Sequence, residues 1–336
     1  MGQEGRNIVD AVSGWLTVYD DGTVDRTWTG PPEVKFMSEP TPAHREFVDG
    51  VATADVVADE ASGLRVRIYS PEKMEGEPEK LPVLLHFHGG GFCISRADWY
   101  MYYAPYTRLA RVARVVVVSV YLRLAPEHRL PAAIEDGYGA LMWLRAVAGG
   151  EVSEPWLEER ADLGRVFLIG DSSGGNIVHQ VAARAGKEGT APVTVAGAIP
   201  IHPGFCRARR SKSELEQPET PFLTLDMVDK FIALALPEGA TKDHPITCPM
   251  GEAAPPMEEL ELPPYLFCVA EQDLIKDTEM EFYEMMKKVG KEVELFVSGG
   301  VGHSFYLNKI AVDMDATTAA ETEKLFEKIK EFIHSR

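Results

Sequence analysis

A chain of 336 residues is long enough for one large domain or two small ones, and its 45% apolar content allows a sizeable core. The 34 Lys and Arg residues against 52 Asp and Glu give a formal net charge of −18, which repels phosphate backbones and argues against a nucleic-acid partner. The four cysteines lack a metal-ligand spacing, and neither a signal-peptide core nor an apolar stretch of about 18 residues occurs, so we expect a cytoplasmic protein without a membrane partner.

Short apolar runs alternate along the chain with longer stretches that have helical spacing. Strands buried on both faces are predicted from the Val, Leu and Ile runs at 83–87, 115–120, 166–169, 266–270 and 293–297, with a weaker run at 193–200. Helices are predicted at 132–147, 176–185, 279–289 and 319–332. The alternation predicts the α/β class, with a mostly parallel central sheet flanked by helices.

Two segments interrupt this alternation, at approximately 1–45 and 204–257. The first is rich in proline and aromatic residues, and the second contains an amphipathic run at 225–236. Loops of this length inside a compact domain usually have a function. We therefore expect one domain over 1–336 in which both segments form a cap over a site, with surface decoration as the alternative.

A glycine-rich turn joins the predicted strand 166–169 to a helix. Gly170 and Gly174 flank Ser172 in the spacing G-x-S-x-G, which between a strand and a helix is typical of a nucleophile turn. Small neighbours let the strand and the helix approach each other there. Ser173 does not fit the same spacing, but its backbone N–H follows the nucleophile and is expected to stabilise an oxyanion. The alternative is an ordinary Gly-Ser loop.

Three consecutive glycines, Gly89, Gly90 and Gly91, follow the predicted strand 83–87. Their N–H groups have no side chain beside them and can turn toward the negative oxygen that forms during acyl transfer. We expect Gly90 and Gly91 to be the main oxyanion donors, with Gly89 next. The alternatives are a flexible loop and a phosphate loop, and the phosphate loop is disfavoured because no G-K-[ST] follows. His88 is expected to be structural, because it precedes the serine in the chain.

An acid and a base are predicted on loops that follow two later strands, at the carboxyl edge of the sheet. Asp273 and His303 lie there, in the order that a triad with Ser172 requires. Asp277 and Glu271 are rival acids; Asp277 begins a helical run and is more naturally a helix cap. The remaining histidines have no such context. These residues predict ester hydrolysis through an acyl-enzyme, with no metal and no cofactor.

The motifs together resemble the hormone-sensitive-lipase-like branch of the α/β-hydrolases. The resemblance rests on the segments 88–92, 123–128, 131–133, 170–176 and 302–303, together with Asp273 and Asp277. The branch usually has Asp-Tyr before the Arg-Leu pair at 123–124, where this chain has Tyr121 and Leu122. The segments 19–26 and 56–71 are similar to plant carboxylesterases.

This resemblance implies an α/β-hydrolase fold, hydrolysis of small carboxylic esters and an amino-terminal cap that shapes the pocket. It also implies two alternatives on the same fold. Gibberellin receptors have lost the catalytic histidine and bind a hormone, whereas isoflavanone dehydratases use a similar site for elimination. His303 is present in this chain and argues against a pure receptor. The expected partner is a small-molecule ester, and the oligomeric state is left open.

Overall fold

A computed structural model of the protein describes residues 6–220 and 223–336. The strands are β1 (Ile8–Val12), β2 (Leu16–Tyr19), β3 (Val24–Asp25), β4 (Val51–Asp59), β5 (Leu64–Pro71), β6 (Leu81–Phe87), β7 (Val116–Tyr121), β8 (Ala161–Asp171), β9 (Val195–Ile201), β10 (Tyr265–Ala270) and β11 (Val293–Ser298). The helices are α1 (Tyr100–Ala113), α2 (Ala132–Ala148), α3 (Pro155–Arg160), α4 (Ser173–Glu188), α5 (Lys212–Glu216), α6 (Leu225–Ala235), α7 (Lys276–Lys288), α8 (Lys309–Met314) and α9 (Ala316–His334). Short 3₁₀ turns lie at Pro32–Ser38, Met257–Glu259 and Phe305–Leu307.

The central sheet has eight strands in the order β11-β10-β9-β8-β6-β7-β5-β4. The strands from β11 to β7 pair in parallel, whereas β5 pairs antiparallel with both β7 and β4. The predicted α/β class with a mostly parallel sheet is therefore confirmed. The antiparallel strands β4 and β5 were not predicted, because polar residues interrupt both strands and neither contains an apolar run of four or more residues.

Burial along the strands follows from the two layers of helices. α2 packs against α4 beside the sheet, and α1 packs against α9. Every residue of β6 and of β10 is buried, as expected for strands covered on both faces. β11, at the edge of the sheet, is buried only at its last residue. The carboxyl ends of the parallel strands are thus fixed by a well-packed core.

Helix α1 was missed in the sequence. It contains four tyrosines and Pro105, which have low helix propensity or break a helix, so its spacing does not stand out. The four predicted helices are present as α2, α4, α7 and α9, and the amphipathic run at 225–236 forms α6. None of the helices in the described ranges is long and apolar enough to cross a membrane.

The two segments expected to form a cap contact each other. Strand β1 packs on α6, and the Lys230 ammonium donates a hydrogen bond of 2.8 Å to the Ala11 carbonyl. Residues 1–5 and 221–222, which belong to these segments, lie outside the described part of the chain. The contact joins the amino-terminal sheet to α6.

Arg26 joins the amino-terminal segment to the main body. Its Nε donates to the Cys93 carbonyl at 2.6 Å, and its terminal nitrogens donate to the Glu127 carboxylate at 2.7 and 2.5 Å. Cys93 lies two residues after Gly91, so the guanidinium connects this segment to the loop that was predicted to hold the oxyanion. Such two-pronged Arg–carboxylate pairs are geometrically specific as well as strong.

Arg26→Ala is expected to loosen the amino-terminal sheet while leaving the central sheet intact. Hydrogen bonds to charged groups contribute about 1.5–3 kcal/mol each, and this substitution removes several of them. Hydrogen exchange of the amides in β1 and β2, followed by mass spectrometry, should become faster. Lys212→Ala is the control, because Lys212 lies 3.6 Å from Glu216 in an exposed pair of the kind that contributes little. Equal exchange in the two variants would contradict the role of Arg26.

Candidate active site

The turn between β8 and α4 holds Ser172 in a backbone conformation that L-residues rarely adopt, with φ 54° and ψ −122°. Its N–H donates to the Ile201 carbonyl at 3.0 Å, and its own carbonyl accepts from Asn176 and Gly204 at 3.1 and 2.7 Å. Conformations of this kind persist only where the surroundings impose them. The hydrogen bonds on both sides of the peptide impose it here, as expected of a nucleophile turn.

The glycines around Ser172 are required by the packing of this turn against the end of β6. A Cβ on Gly174 would lie 2.0 Å from the Phe87 carbonyl oxygen, and a Cβ on Gly170 would lie 2.6 Å from the same atom. Both distances are shorter than any real carbon–oxygen contact, so neither position accepts a side chain without moving the backbone. The G-x-S-x-G spacing therefore has a direct steric cause in this protein.

The loop after β6 faces the amino terminus of α4. Gly90 and Gly91 have φ values of 103° and 60°, and both line the same pocket as Ser172. Ser173 is the first residue of α4, where a backbone N–H has no partner within the helix, and its side chain accepts from the Phe92 N–H at 3.2 Å. The Gly89 N–H is already bonded to the Tyr102 hydroxyl at 2.9 Å. The geometry thus favours Gly90, Gly91 and Ser173 over Gly89 as anion-binding donors.

Asp273 and His303 form a buried pair beside the pocket. Nδ1 of His303 lies 2.6 Å from Oδ2 of Asp273, while Oδ1 of Asp273 accepts from the Ile275 N–H at 3.0 Å. Nε2 of His303 has no partner among the described residues, and the residue lines the pocket together with Ser172. No hydrogen bond joins this nitrogen to Ser172 within the described structure, a contact that often tightens only when substrate binds.

Burial and charge act in opposite directions on this pair. Burial lowers the pKa of His303, but the carboxylate and hydrogen bond of Asp273, with a smaller contribution from Asp171, raise that pKa above the usual imidazole value. Burial likewise raises the pKa of Asp273, but the charge and hydrogen bond of His303 bring that pKa below the usual carboxyl value. An imidazole beside an ionised carboxylate can accept a proton and hold it, as a general base must.

The two rival acids are engaged elsewhere. The Asp277 carboxylate accepts from the Ser213 N–H at 2.7 Å, in the first turn of α5, rather than capping its own helix as the sequence suggested. The Glu271 carboxylate accepts from the Gly300 N–H at 2.8 Å. His88 bonds the carbonyl of Gly89 through Nδ1 at 2.9 Å, and burial lowers the pKa of His88 to about 4. These contacts agree with a structural role for His88.

His202 lies behind this pair and was missed in the sequence. Its Nδ1 accepts from the Ser304 N–H at 2.9 Å, and its ring centroid lies 5.9 Å from that of His303. Burial lowers the pKa of His202 to about 3, so the ring is neutral. The available signal was its position directly after β9, at the same carboxyl edge of the sheet as the ends of β10 and β11.

Asp171 is a second buried group that sequence reasoning did not single out. Its Oδ2 lies 3.4 Å from the Tyr102 hydroxyl and 3.5 Å from Oγ of Ser304. Burial raises the pKa of Asp171 to about 6. Because the Tyr102 hydroxyl also accepts from the Gly89 N–H, this carboxyl group links the glycine loop to the loop that carries His303.

One group among the described residues brings potential metal ligands within 4.8 Å of one another, namely His202, Asp273 and His303. Nδ1 of His202 accepts a backbone hydrogen bond, and Nδ1 of His303 bonds Asp273. These hydrogen bonds account for the closeness of the three side chains without an ion.

The pocket above Ser172 is mainly apolar. It encloses about 740 Å³ of space free of protein atoms, part of it open to solvent, and no Lys or Arg is among the described residues that line it. Trp15 contributes from the amino-terminal segment, and Leu223, Met227, Val228, Phe231 and Ile232 contribute from the inserted segment. A Cβ on Gly91 would lie 2.4 Å from the Phe231 ring, so α6 packs directly on the glycine loop. Such a pocket suits a small neutral molecule.

Comparison with known families places this geometry in context. A family model described as the alpha/beta hydrolase fold matches residues 84–307, a range that contains Ser172, Asp273 and His303. A second model, of the carboxylesterase family, matches residues 21–126.

Plant proteins are among the similar sequences. "Probable carboxylesterase 6" of Arabidopsis thaliana is 36% identical over 303 residues, covering 89% of this chain and 85% of the relative. The chloroplastic tuliposide A-converting enzyme 1 of Tulipa gesneriana is 36% identical, covering 91% of this chain and 75% of the relative. Gibberellin receptor GID1C of Arabidopsis thaliana is also 36% identical, covering 85% of this chain and 83% of the relative.

Solved esterase structures share the fold. A hyperthermophilic esterase from the archaeon Pyrobaculum calidifontis superimposes with a TM-score of 0.68 at 27% identity, covering 90% of this chain and 88% of that one. Carboxyl esterase 2 of the fungus Tuber melanosporum gives a TM-score of 0.71 over 91% and 95% of the two chains, at 23% identity, which is a likeness of fold alone. The chain belongs to the α/β-hydrolase family, with plant carboxylesterases among its relatives.

Proposed function

We propose that the protein hydrolyses small neutral carboxylic esters with short acyl chains, through a triad of Ser172, His303 and Asp273. The observation that carries the proposal is the 2.6 Å hydrogen bond from Nδ1 of His303 to Asp273, which leaves Nε2, in the pocket that Ser172 lines, without a partner among the described residues. The absence of Lys and Arg from the described pocket lining supports a neutral substrate over an anionic one.

The proposed reaction has two halves. Nε2 of His303 takes the Ser172 proton while Oγ attacks the ester carbonyl, and the N–H groups of Gly90, Gly91 and Ser173 stabilise the oxyanion. Collapse of this intermediate expels the alcohol, which receives its proton from His303 and leaves an acyl group on Ser172. Water then attacks the acyl group by the same route. All steps use groups of the chain and water, so the reaction requires no metal or cofactor.

We further propose that the segments at about 1–45 and 204–257 act as the cap that selects the ester. The pocket residue Trp15 and the pocket-facing side of α6 support this role. The ester that is hydrolysed is then the one whose acyl and alcohol groups fit beneath the cap. The cytoplasmic location expected from the sequence stays a prediction.

A hormone receptor is the second candidate, because a gibberellin receptor is among the relatives at 36% identity. Reversible binding would make no use of the buried pair of Asp273 and His303, whereas hydrolysis depends on it. The two functions are separable by covalent chemistry, since only an activated serine attacks a reagent that resembles the tetrahedral intermediate.

Labelling by a dialkyl p-nitrophenyl phosphate tests the choice directly. We expect one dialkylphosphoryl group per chain on Ser172, located by intact mass and peptide mapping, together with loss of p-nitrophenyl butyrate hydrolysis. Ser172→Ala should remain unlabelled and lose on the order of 10⁴-fold in kcat. Ser173→Ala is the matched control and should still be labelled at Ser172. A wild-type protein that neither gains mass nor turns over any simple ester would support the receptor instead.

The pH dependence of kcat/KM should report the neutral form of His303. The neutral ring accepts the Ser172 proton, so activity is expected to fall as the pH drops through the His303 pKa. Because Asp273 raises that pKa, the acidic limb should lie above the reference value of about 6.5.

Titration of Asp171 could produce a similar acidic limb, since the pKa of Asp171 is about 6. In Asp171→Asn the limb should persist and move slightly to lower pH, because one of the charges that raises the His303 pKa is removed. Disappearance of the limb in this variant would assign it to Asp171 and argue against His303 as the base.

His202 is expected to be a positioning residue for His303. His202→Leu leaves the buried Ser304 N–H without an acceptor, a loss of about 1–3 kcal/mol, which corresponds to roughly 5–150-fold in kcat if it is felt in the transition state. Its acidic limb should also move to lower pH as the pairing with Asp273 loosens. His202→Asn keeps an acceptor and tolerates the φ of 44° at this position, so it should retain most activity and the wild-type limb. Equal impairment of both variants would rule out the hydrogen bond as the cause.

A further inference from the structure

A second cavity adjoins the catalytic pocket, between α1, α8, α9 and the 3₁₀ turn Phe305–Leu307. It comprises about 570 Å³ of space free of protein atoms, part of it open to solvent, and its lining is mostly apolar. No residue that we place in the catalytic machinery lines it. The cavity is therefore a separate feature of the fold, which the proposed mechanism leaves without a role.

Met101 and Leu307 line both cavities, so these two residues form part of the partition between them. Met101 lies in the first turn of α1, and Leu307 lies four residues after His303. Their exposed fractions are only 5% and 2%. Both side chains are apolar, and methionine in particular adapts its shape readily. The partition therefore consists, at least in these two residues, of side chains that can be shortened without removing a polar contact.

The charges around the second cavity are already paired. Arg108 bonds Glu323 and stacks over the Phe326 ring at 5.3 Å, and Lys309 bonds Asp313. An anionic ligand would have to break these pairs, whereas an alkyl chain would need only the apolar lining. Each methylene that moves from water into such a lining improves binding by about fourfold.

We propose that the second cavity is a subsite for an unbranched saturated chain of the ester, and that Met101 and Leu307 set the length of chain that the catalytic pocket accepts. The proposal rests on the esterase function above. With the partition in place, a short chain ends at these two side chains; with it shortened, a longer chain continues into the second cavity. The chain belongs to either the acyl group or the alcohol, and two series of substrates distinguish these sources.

The experiment compares the wild type with Leu307→Ala and Met101→Ala on p-nitrophenyl esters from acetate to decanoate, and on acetates of alcohols of the same lengths. The ratio of kcat/KM for octyl over butyl chains should rise by about tenfold or more in the variants, as expected if two or more methylenes become buried. A rise in the first series alone assigns the chain to the acyl group, and a rise in the second alone assigns it to the alcohol. Thermal denaturation checks that each variant is folded.

Two further variants make the test specific. Ala104 lines only the second cavity, so adding Ala104→Phe to Leu307→Ala should fill that cavity and abolish the gain for long chains. Val228 lines only the catalytic pocket, and Val228→Ala enlarges that pocket without opening the partition, so it should not produce the tenfold change in ratio. Unchanged ratios in both partition variants, or a gain that survives Ala104→Phe, would overturn the proposal.

Binding gives a readout that does not need hydrolysis. In the Ser172→Ala background, affinity for methyl alkanoates can be followed by tryptophan fluorescence, since Trp15 lines the pocket. Leu307→Ala should raise affinity for methyl octanoate relative to methyl butanoate, again by about tenfold. If affinity for the longer ester rises in this way but the protein with Ser172 intact hydrolyses no ester, the esterase function is refuted and the subsite is retained. If the protein with Ser172 intact hydrolyses esters but affinity for the longer ester does not rise, the subsite is refuted and the esterase function is retained.

Discussion

The close approach of the nucleophile turn to the end of β6 is the constraint on which the site depends. The first turn of α4 can pass the Phe87 carbonyl only because Gly174 has no side chain, since a Cβ there would lie 2.0 Å from the oxygen. The loop that carries Gly90 and Gly91 begins directly after β6. The close contact between Gly174 and the Phe87 carbonyl therefore places the N–H groups of this loop near the amino terminus of α4. The arrangement proposed to stabilise the oxyanion thus follows from backbone packing, before any side chain of the site takes part.

Three of the seven described non-glycine residues with positive φ lie where the loops after β8, β9 and β11 meet. Ser172, His202 and Ser304 all have positive φ, at 54°, 44° and 49°. Residues other than glycine adopt this conformation at a cost of about 1–3 kcal/mol each, so the surroundings must compensate. The hydrogen bond from Ser304 to His202 joins two of these residues, and Oγ of Ser304 reaches Asp171, the neighbour of the third. These hydrogen bonds connect the three loops, so Asp171, His202 and Ser304 form one polar network beneath the pocket.

The sequence contained enough information for the positions that follow from local pattern. Ser172, Asp273 and His303 follow strands of a parallel sheet, and the carboxyl ends of such strands meet at one edge, so the pattern of strands was sufficient to expect these residues together. His202 also follows a strand, but its contact with Ser304 depends on how two distant loops fold, which no local spacing encodes. Asp277 shows the same limit: its carboxylate bonds Ser213, 64 residues away in the chain, instead of its own helix.

The elements that were missed share a physical cause. α1 has four tyrosines and a proline, and packing against α9 rather than intrinsic propensity stabilises it as a helix. β4 and β5 pair antiparallel at the edge of the sheet, where one face of β4 meets water and its apolar run is broken. The second cavity could not be expected at all, because α1 and the consecutive helices α8 and α9 lie about 200 residues apart in the chain.

The segments proposed as the cap contact the glycine loop directly, which restricts how the pocket can change. Phe231 packs on Gly91, and Arg26 binds the carbonyl of Cys93 just beyond it. A residue of the proposed cap that moves to admit a larger ester therefore also moves the donors proposed to stabilise the oxyanion. Met101 and Leu307 belong to α1 and to a 3₁₀ turn, outside both cap segments. Changes in the partition formed by Met101 and Leu307 can accommodate a longer chain while the proposed cap and the glycine loop keep their contact. Selection for longer substrates would therefore act on this partition before it acted on the cap.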